Sequence, residues 1–357
     1  MKGSKKIIFL LPYPLTKAPS QRFRVELYFS LLQKHNIHYE VQPFLDLKTW
    51  NIIYKKASLF QKIKGVTVGF LKRLKLCLWG LRGFDYVFIH REAAPVGPPV
   101  IEWVIAKLWR KKIIYDFDDA IWISDTRNNL IGWMKAFYKI RYICNWSYKV
   151  SAGNQYLADY AGKNGGSVVL LPTCVDVENH HNRLKVHKPG KVVIGWTGSH
   201  STLKYLGALV PVLKKVVSEF DAEFLVICNK PPEFTFDGLR FIYWKEESEI
   251  DDLLNMDIGI MPLIPDAWSE GKCGFKLIQY LALGIPSLAS PVGVNATIIE
   301  EGVNGFLCES PTSWYSAMET LVRDHALRAS MGENGREKIT REFSIQTHSA
   351  TFISLFD

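Results

Sequence analysis

The stretch Glu270-Gly271-Lys272-Cys273-Gly274-Phe275-Lys276-Leu277-Ile278-Gln279-Tyr280-Leu281-Ala282-Leu283-Gly284-Ile285-Pro286 carries the signals on which the reading of this chain turns. Gly271 and Gly274 flank Lys272 in a loop that opens a helix, and Gly284 with Pro286 stops that helix before an apolar strand, Ser287–Ala289. Lys276 falls in the first helical turn, where the helix dipole disfavours a cation. A bound anion reverses that cost, because helix terminus and lysine then share it. Gln279 follows three residues on and projects from the same face. A cation for a pyrophosphate and a polar group for a ribose, one turn apart, suit a nucleoside diphosphate. The plainer alternative is an exposed loop and a solvated helix start.

Outward from this stretch, strands and helices alternate. Val192–Trp196, Ala222–Cys228, Leu239–Tyr243 and Ile258–Met261 read as strands, with helices over Leu203–Glu219, Glu247–Asn255, Ala296–Glu301 and Ser313–Gly332. The first half repeats the plan. Strands are expected at Lys6–Leu11, Tyr39–Pro43, Tyr86–His90, Lys112–Tyr115, Lys149–Ala152 and Ser167–Leu171, and helices at Arg22–His35, Glu102–Trp109 and Asn129–Asn145. Such alternation predicts an α/β protein of two Rossmann-like domains, their parallel sheets facing across a cleft. The boundaries expected are 1–178 for the first Rossmann-like domain, 179–191 for a polar linker, 192–340 for the second, and 341–357 for a C-terminal helix packing back on the first domain.

Length and composition fit two soluble domains: 357 residues, 48% hydrophobic and 22% charged. The six cysteines are scattered singly, which speaks against a zinc site or a disulfide framework and for free thiols in a reducing compartment. The basic N-terminus leads into an apolar run too short for a signal peptide, and no run approaches the roughly 20 apolar residues of a membrane-spanning helix. The expected location is cytoplasmic. The net charge of +9 is uneven: Lys55, Lys56, Lys62, Lys64, Lys72, Arg73, Lys75 and Arg82 occur without an acid among them, interleaved with bulky apolar residues. Lys55–Arg82 is therefore expected to contact an anionic membrane surface, a solvated helix face being the alternative. No nucleic-acid motif accompanies it.

Three further groups can carry chemistry. In Gly195-Trp196-Thr197-Gly198-Ser199, a small-residue turn between strand and helix, backbone N–H groups and hydroxyls can bind a phosphate, with Lys204 nearby. It is neither a dinucleotide fingerprint nor a P-loop. In Tyr115-Asp116-Phe117-Asp118-Asp119, three acids follow a strand; crowding implies that at least one has a raised pKa or a hydrogen-bond partner. The string could hold a divalent metal on carboxylates, line the cleft and orient a ligand hydroxyl through Asp118 or Asp119, or cap a helix. Finally Arg22 and Arg24, and His90-Arg91-Glu92, lie at strand ends near the expected cleft, where Arg suits a phosphate or carboxylate; His90 reads equally as a satisfied core histidine.

The second half resembles the family 4 retaining glycosyltransferases of the GT-B fold, glycosyl transferases group 1. The resemblance rests on Lys276 to Pro286, on Ser290-Pro291-Val292-Gly293-Val294-Asn295, on Asn304-Gly305-Phe306-Leu307 and on Asp257 to Leu263. It implies that Lys276 and Lys272 hold the donor diphosphate over Gly198 and Ser199 with Lys204 nearby, that Gln279 meets the ribose, and that Trp244 and Lys245 border the base. Lys276, Asp118 and Asp119 are the catalytic candidates, with Arg22, Arg24, His90, Arg91 and Glu92 on the acceptor side. The family's paired glutamates are altered: Gly271 stands at the first position, one residue from Glu270, and Gln279 at the second. The implied activity is sugar transfer from a nucleotide-sugar to a saccharide or lipid-linked acceptor in envelope polysaccharide synthesis, with no metal and no cofactor. A nucleotide-sugar epimerase and a non-catalytic nucleotide-sugar-binding scaffold are the rivals.

Overall fold

The structure is a computed structural model that describes residues 5–53, 58–124 and 128–357. The chain divides into two compact units: residues up to Thr173 together with His348–Asp357, and Cys174–Thr347.

The first unit is built on a parallel sheet of β1 (Lys6–Leu11), β2 (His38–Pro43), β3 (Tyr86–His90), β4 (Lys112–Phe117), β5 (Lys149–Ala152) and β6 (Val168–Leu170), ordered β2-β1-β3-β4-β5-β6. The central strands are continuous apolar runs because helices cover both faces. Phe9, Phe88 and Phe117 fill the interior, and the C-terminal residues seal it, Phe352 stacking on Tyr28 with ring centroids 4.1 Å apart. Register alone brings His90 opposite Asp116, and Asp116 opposite Ser151, at the carboxyl ends of β3, β4 and β5.

The second unit carries β7 (Val192–Gly198), β8 (Ala222–Cys228), β9 (Leu239–Tyr243), β10 (Ile258–Met261), β11 (Ser287–Ala289) and β12 (Gly305–Leu307) in the parallel order β12-β11-β10-β7-β8-β9. The strand order reverses between β7 and β10, which is where sheets of this kind bind ligands. The helix Phe275–Ala282 follows β10 and delivers its first turn to that point. Asn304 and Gly305 have a structural reason to be what they are: a Cβ at Gly305 would collide with the Ser287 carbonyl, and Asn304 bonds the backbone of Glu300 and Ile298.

Several boundaries differ from expectation. Residues 179–191, polar enough to read as a linker, group with the second unit, and their polar atoms are used there. Arg336 donates to the carbonyls of Val177, His181 and Ala282, Lys185 pairs with Asp257 at 3.0 Å, and His181 is fully buried. The helix expected over Asn129–Asn145 is two helices, Asn129–Lys135 and Lys139–Trp146, broken at Ala136, whose φ is +51°. In the basic segment, Lys55 and Lys56 lie outside the described residues; Leu59–Lys75 is a 17-residue helix continued by a π-helical stretch, Leu76–Gly80. Among the described residues no helix is long and apolar enough to cross a membrane.

Candidate functional site

At the carboxyl end of the second sheet, Gly274 caps the helix Phe275–Ala282 in the left-handed conformation, φ +65°. This turns the chain so that Lys276, in the first turn, lies 5.6 Å from the centroid of the Trp196 ring on β7. One turn on, the buried Tyr280 hydroxyl accepts from the Thr197 N–H at 2.8 Å, fixing helix to strand. Burial pushes the Tyr280 phenol far above its ordinary value, so it stays a neutral pin. Beyond Gly198, Ser199 and Ser201 exchange a hydroxyl bond of 2.8 Å, and the His200 N–H donates to Asn229 at 2.8 Å. Lys204, exposed on the following 3₁₀ helix, lies over Tyr205, and Lys272 over Trp268. All three lysines expected near the diphosphate are thus laid against aromatic faces. An aromatic ring face steadies an ammonium through its quadrupole.

Gln279 is buried, and its amide nitrogen points to Glu249 Oε1 at 3.4 Å. The Trp244 indole N–H donates to the same oxygen at 3.2 Å. Trp244 and Gln279 are therefore brought together by a residue that sequence reasoning missed. Glu249 stands in the short acidic helix Glu249–Leu253, among exposed acids that gave it no distinguishing signal. Lys245 is exposed beside them. Glu270 abuts Gly293, whose φ is +55°, so the glycine of Val292-Gly293-Val294 lets that loop close on the Glu270 backbone.

The first unit's candidates form a tighter network. Arg24 is buried and forms an ion pair with Asp116, while also donating to Ser151 at 3.0 Å and to the Leu171 carbonyl. It is a core residue, which corrects its expected place on the acceptor side: a buried carboxylate needs a buried cation. His90 is likewise interior, its Nδ1 2.7 Å from Asp116 and its Nε2 2.9 Å from the Ser20 hydroxyl. Of its two readings the satisfied core histidine is the one found. Burial alone would raise the Asp116 pKa, but Arg24 and His90 outweigh it and hold the carboxyl below its ordinary value.

Arg91 sits at the end of β3 with φ +60°, a strained conformation for a non-glycine residue, inside a three-residue turn closed by Glu92 N–H to the His90 carbonyl at 2.7 Å. Its guanidinium reaches Asp118 at 2.7 Å and Asp119 at 2.6 Å. Against the raising effect of burial, Arg91 and the neighbouring bases hold Asp118 well below the usual carboxylate range. The crowding of acids is thus relieved by bases, and no helix begins at Asp118 or Asp119 for them to cap. Glu92 pairs with Lys139 at 2.6 Å, and Arg22 is nearly buried with its guanidinium 5.0 Å from the Phe23 ring centroid. Among the described residues no three His, Cys, Asp or Glu side chains converge as a metal-ligand set.

Residues 191–324 match the family model described as glycosyl transferases group 1. The chain is 27% identical over 151 residues to N-acetyl-alpha-D-glucosaminyl L-malate synthase of Bacillus anthracis, covering 40% of this chain and 39% of that protein. It is 24% identical over 185 residues to the capsular polysaccharide biosynthesis glycosyltransferase CapM of Staphylococcus aureus, covering 48% and 47%. The chain thus spans less than two thirds of the length of the curated relatives it matches. In fold it is similar to sucrose-phosphate synthase from Thermosynechococcus elongatus, with a TM-score of 0.70 at 12% identity over 99% of this chain and 98% of that one. It is also similar to Anabaena HepE in complex with UDP, with a TM-score of 0.63 at 13% identity over 98% of each. Two Rossmann-like domains with parallel sheets, the GT-B fold, are common ground with these structures.

Proposed function

With a glycosyl transferases group 1 domain as its second unit, we propose that this chain is a retaining glycosyltransferase that moves a sugar from a nucleoside diphosphate sugar to a saccharide or lipid-linked acceptor. The observation that carries the reading is the placement of Lys276: first turn of a helix, at the switch point of the sheet, braced on Trp196. Departure of a nucleoside diphosphate builds negative charge on its outer phosphate. A fixed ammonium and a helix N-terminus aimed at one spot stabilise that charge without reorganising. Lys204, Lys272 and the backbone after Gly198 support the same anion. Gln279, Glu249 and Trp244 supply the polar edge for ribose and base. No metal and no cofactor enter the scheme.

On the acceptor side, Asp118 held below the usual range is a weak base. Its part in this reading, with Asp119, is to receive an acceptor hydroxyl as a hydrogen bond and aim it. Similarity to a capsular glycosyltransferase and to a GlcNAc–malate synthase supports a role in cell-envelope glycan or related small-glycoside synthesis. A cytoplasmic protein that meets an anionic membrane through Lys55–Arg82, and binds no nucleic acid, completes the proposal.

The test is calorimetric titration of the protein with UDP, GDP and ADP, repeated on Lys276→Ala. One diphosphate is expected to bind and to lose about tenfold or more in affinity in the variant, the worth of one charge-assisted contact. Absence of binding by all three to folded wild-type protein would remove the donor site and overturn the transferase reading.

A further inference from the structure

The first unit exposes an unusual amount of apolar surface. On the helix Leu59–Lys75 and its π-helical extension, Phe60, Ile63, Leu71, Leu74 and Leu78 are all exposed. Their spacing of three, four, seven and eight residues puts them on one stripe. The adjoining stripe, Val66, Phe70, Arg73 and Leu76, faces the unit's interior. The apolar surface of this helix is therefore wider than the stripe it buries. Phe60 is 75% exposed and Trp79, at the end of the extension, 71%.

The stripe does not stand alone. Ile101 joins Val66 and Phe70 on the cluster around Phe44, and the Trp109 indole donates to the Cys77 carbonyl at 2.5 Å. The helical segment Val100–Leu108 therefore flanks the stripe, and it exposes Val100, Trp103 and Leu108. Next to it, the Gly97 N–H bonds the Met134 carbonyl at 2.7 Å, and Lys139 reaches the Ala94 carbonyl at 2.9 Å. This brings in the helix Asn129–Lys135, which buries none of its residues and exposes Leu130, Ile131, Trp133 and Met134, Trp133 to 78%. The break at Ala136 sets this short helix off from the anchored one that follows.

Charge follows the same outline. Residues 59–84, 100–111 and 128–148 carry Lys62, Lys64, Lys72, Lys75, Arg82, Lys107, Arg110, Lys111, Lys135 and Arg141 at exposed or half-buried positions. Their single acid, Glu102, is buried. Tyr138 and Tyr142 add exposed phenols at the border. Apolar side chains ringed by cations and amphipathic aromatics match the acyl, headgroup and phosphate layers of an anionic bilayer in that order.

We infer that these three elements form one membrane-docking face, in which the helix Asn129–Lys135, led by Trp133 and Leu130, inserts beside the Leu59–Gly80 stripe. The inference rests on the membrane part of the reading above and adds to it two elements that the basic segment does not contain. The occupant is an anionic lipid surface. Asn129 follows Asp119 by ten residues, so docking holds the chain leading from the acceptor-side acids at the lipid headgroups.

The test is co-sedimentation of the full chain with vesicles of phosphatidylcholine alone and of equal parts phosphatidylcholine and phosphatidylglycerol. Three proteins are compared: wild type, Leu130→Ser with Trp133→Ser, and Phe60→Ser with Leu74→Ser. Because all four side chains are exposed, the unfolding midpoint is expected to stay unchanged, and it is measured alongside. The composite face predicts binding to the anionic vesicles only, reduced about tenfold or more by either pair. Loss with the Phe60 and Leu74 pair alone would overturn the composite face and leave the single-segment reading standing. Absence of vesicle binding by wild type would overturn both, and a dimeric mass by light scattering would then name a second copy as the occupant. Equal binding to the neutral vesicles would overturn the anionic surface.

Discussion

At the carboxyl end of the first sheet the bases are spent on acids: Arg24 and His90 on Asp116, Arg91 on Asp118 and Asp119. At the carboxyl end of the second, Lys204, Lys272 and Lys276 lie on the faces of Tyr205, Trp268 and Trp196. The two ends differ in the neighbours that hold these side chains in place. Carboxylate partners fix a base by direct ion pairs. Aromatic neighbours add a ring face against which an ammonium rests. On the proposed reading the first edge meets the acceptor and the second the diphosphate. The surfaces differ in the same spirit, with the exposed Trp, Phe and Leu residues concentrated on the first unit.

The largest test of this contrast is Asp116→Ala. It removes the buried ion-pair partner of Arg24 and the hydrogen-bond partner of the His90 Nδ1, a change that costs about 3–5 kcal/mol when a buried pair is broken. Hydrogen exchange should show lost protection across β3, β4 and β5, with β7 to β11 unchanged. Unchanged exchange in the first unit would mean that the network is dispensable. Acid performs a gentler version. The Asp116 and Asp118 carboxyls are held below their ordinary value in the folded chain. Their stabilisation is therefore complete above about pH 4 and is lost as the pH falls through the lowered folded-state values. Protection in the first unit should decline over that acid range.

Smaller, and confined to the second unit, is Gly274→Ala. A left-handed residue with a Cβ costs about 1–2 kcal/mol, and here the added carbon also runs into the Ile298 side chain. The helix start must shift, carrying Lys276 off Trp196. Affinity for the diphosphate that binds wild type is expected to fall about tenfold, while exchange in the first sheet stays as it was. Full affinity in this variant would show that the cap does not set the lysine.

The two units also differed in how well they could be read in advance. Strand alternation located both sheets, because buried parallel strands are uninterrupted apolar runs. In the second unit the local placement of the candidate residues was legible as well, since Gly274, Lys276 and Gly284 are turn and helix-start signals that act over a few residues. In the first unit it was not. Arg24 looked like a ligand for the acceptor because nothing local says that Asp116, 92 residues away, will take it. His90 carried the same ambiguity, which only the register of β3 against β4 resolves. Glu249 was missed for a related reason: its partners Trp244 and Gln279 converge from a strand end and a distant helix. Residues 179–191 misled through composition, since polar residues that bond buried carbonyls look the same in sequence as polar residues that face water.

The finest test concerns that missed acid. Gln279→Glu restores the residue that the resembled family has at this position, yet it sets a second carboxylate against Glu249, whose Oε1 now lies 3.4 Å from the Gln279 amide nitrogen. Two carboxylates so close cannot both ionise freely, and the pair must titrate with one pKa raised. Above that pKa the repulsion turns the new side chain away from Glu249 and disturbs Trp244. Below it, a shared proton restores the hydrogen bond that the amide makes. Diphosphate affinity of the variant is therefore expected to be a few-fold weaker than wild type near pH 8 and to recover toward pH 5.5, at most about a tenfold swing. Wild type, with a neutral amide at position 279, should lack this extra pH dependence. Equal behaviour of the two proteins across that range would mean that Glu249 swings clear when nucleotide binds. The pairing of Trp244 with Gln279 would then have no part in the recognition of the donor.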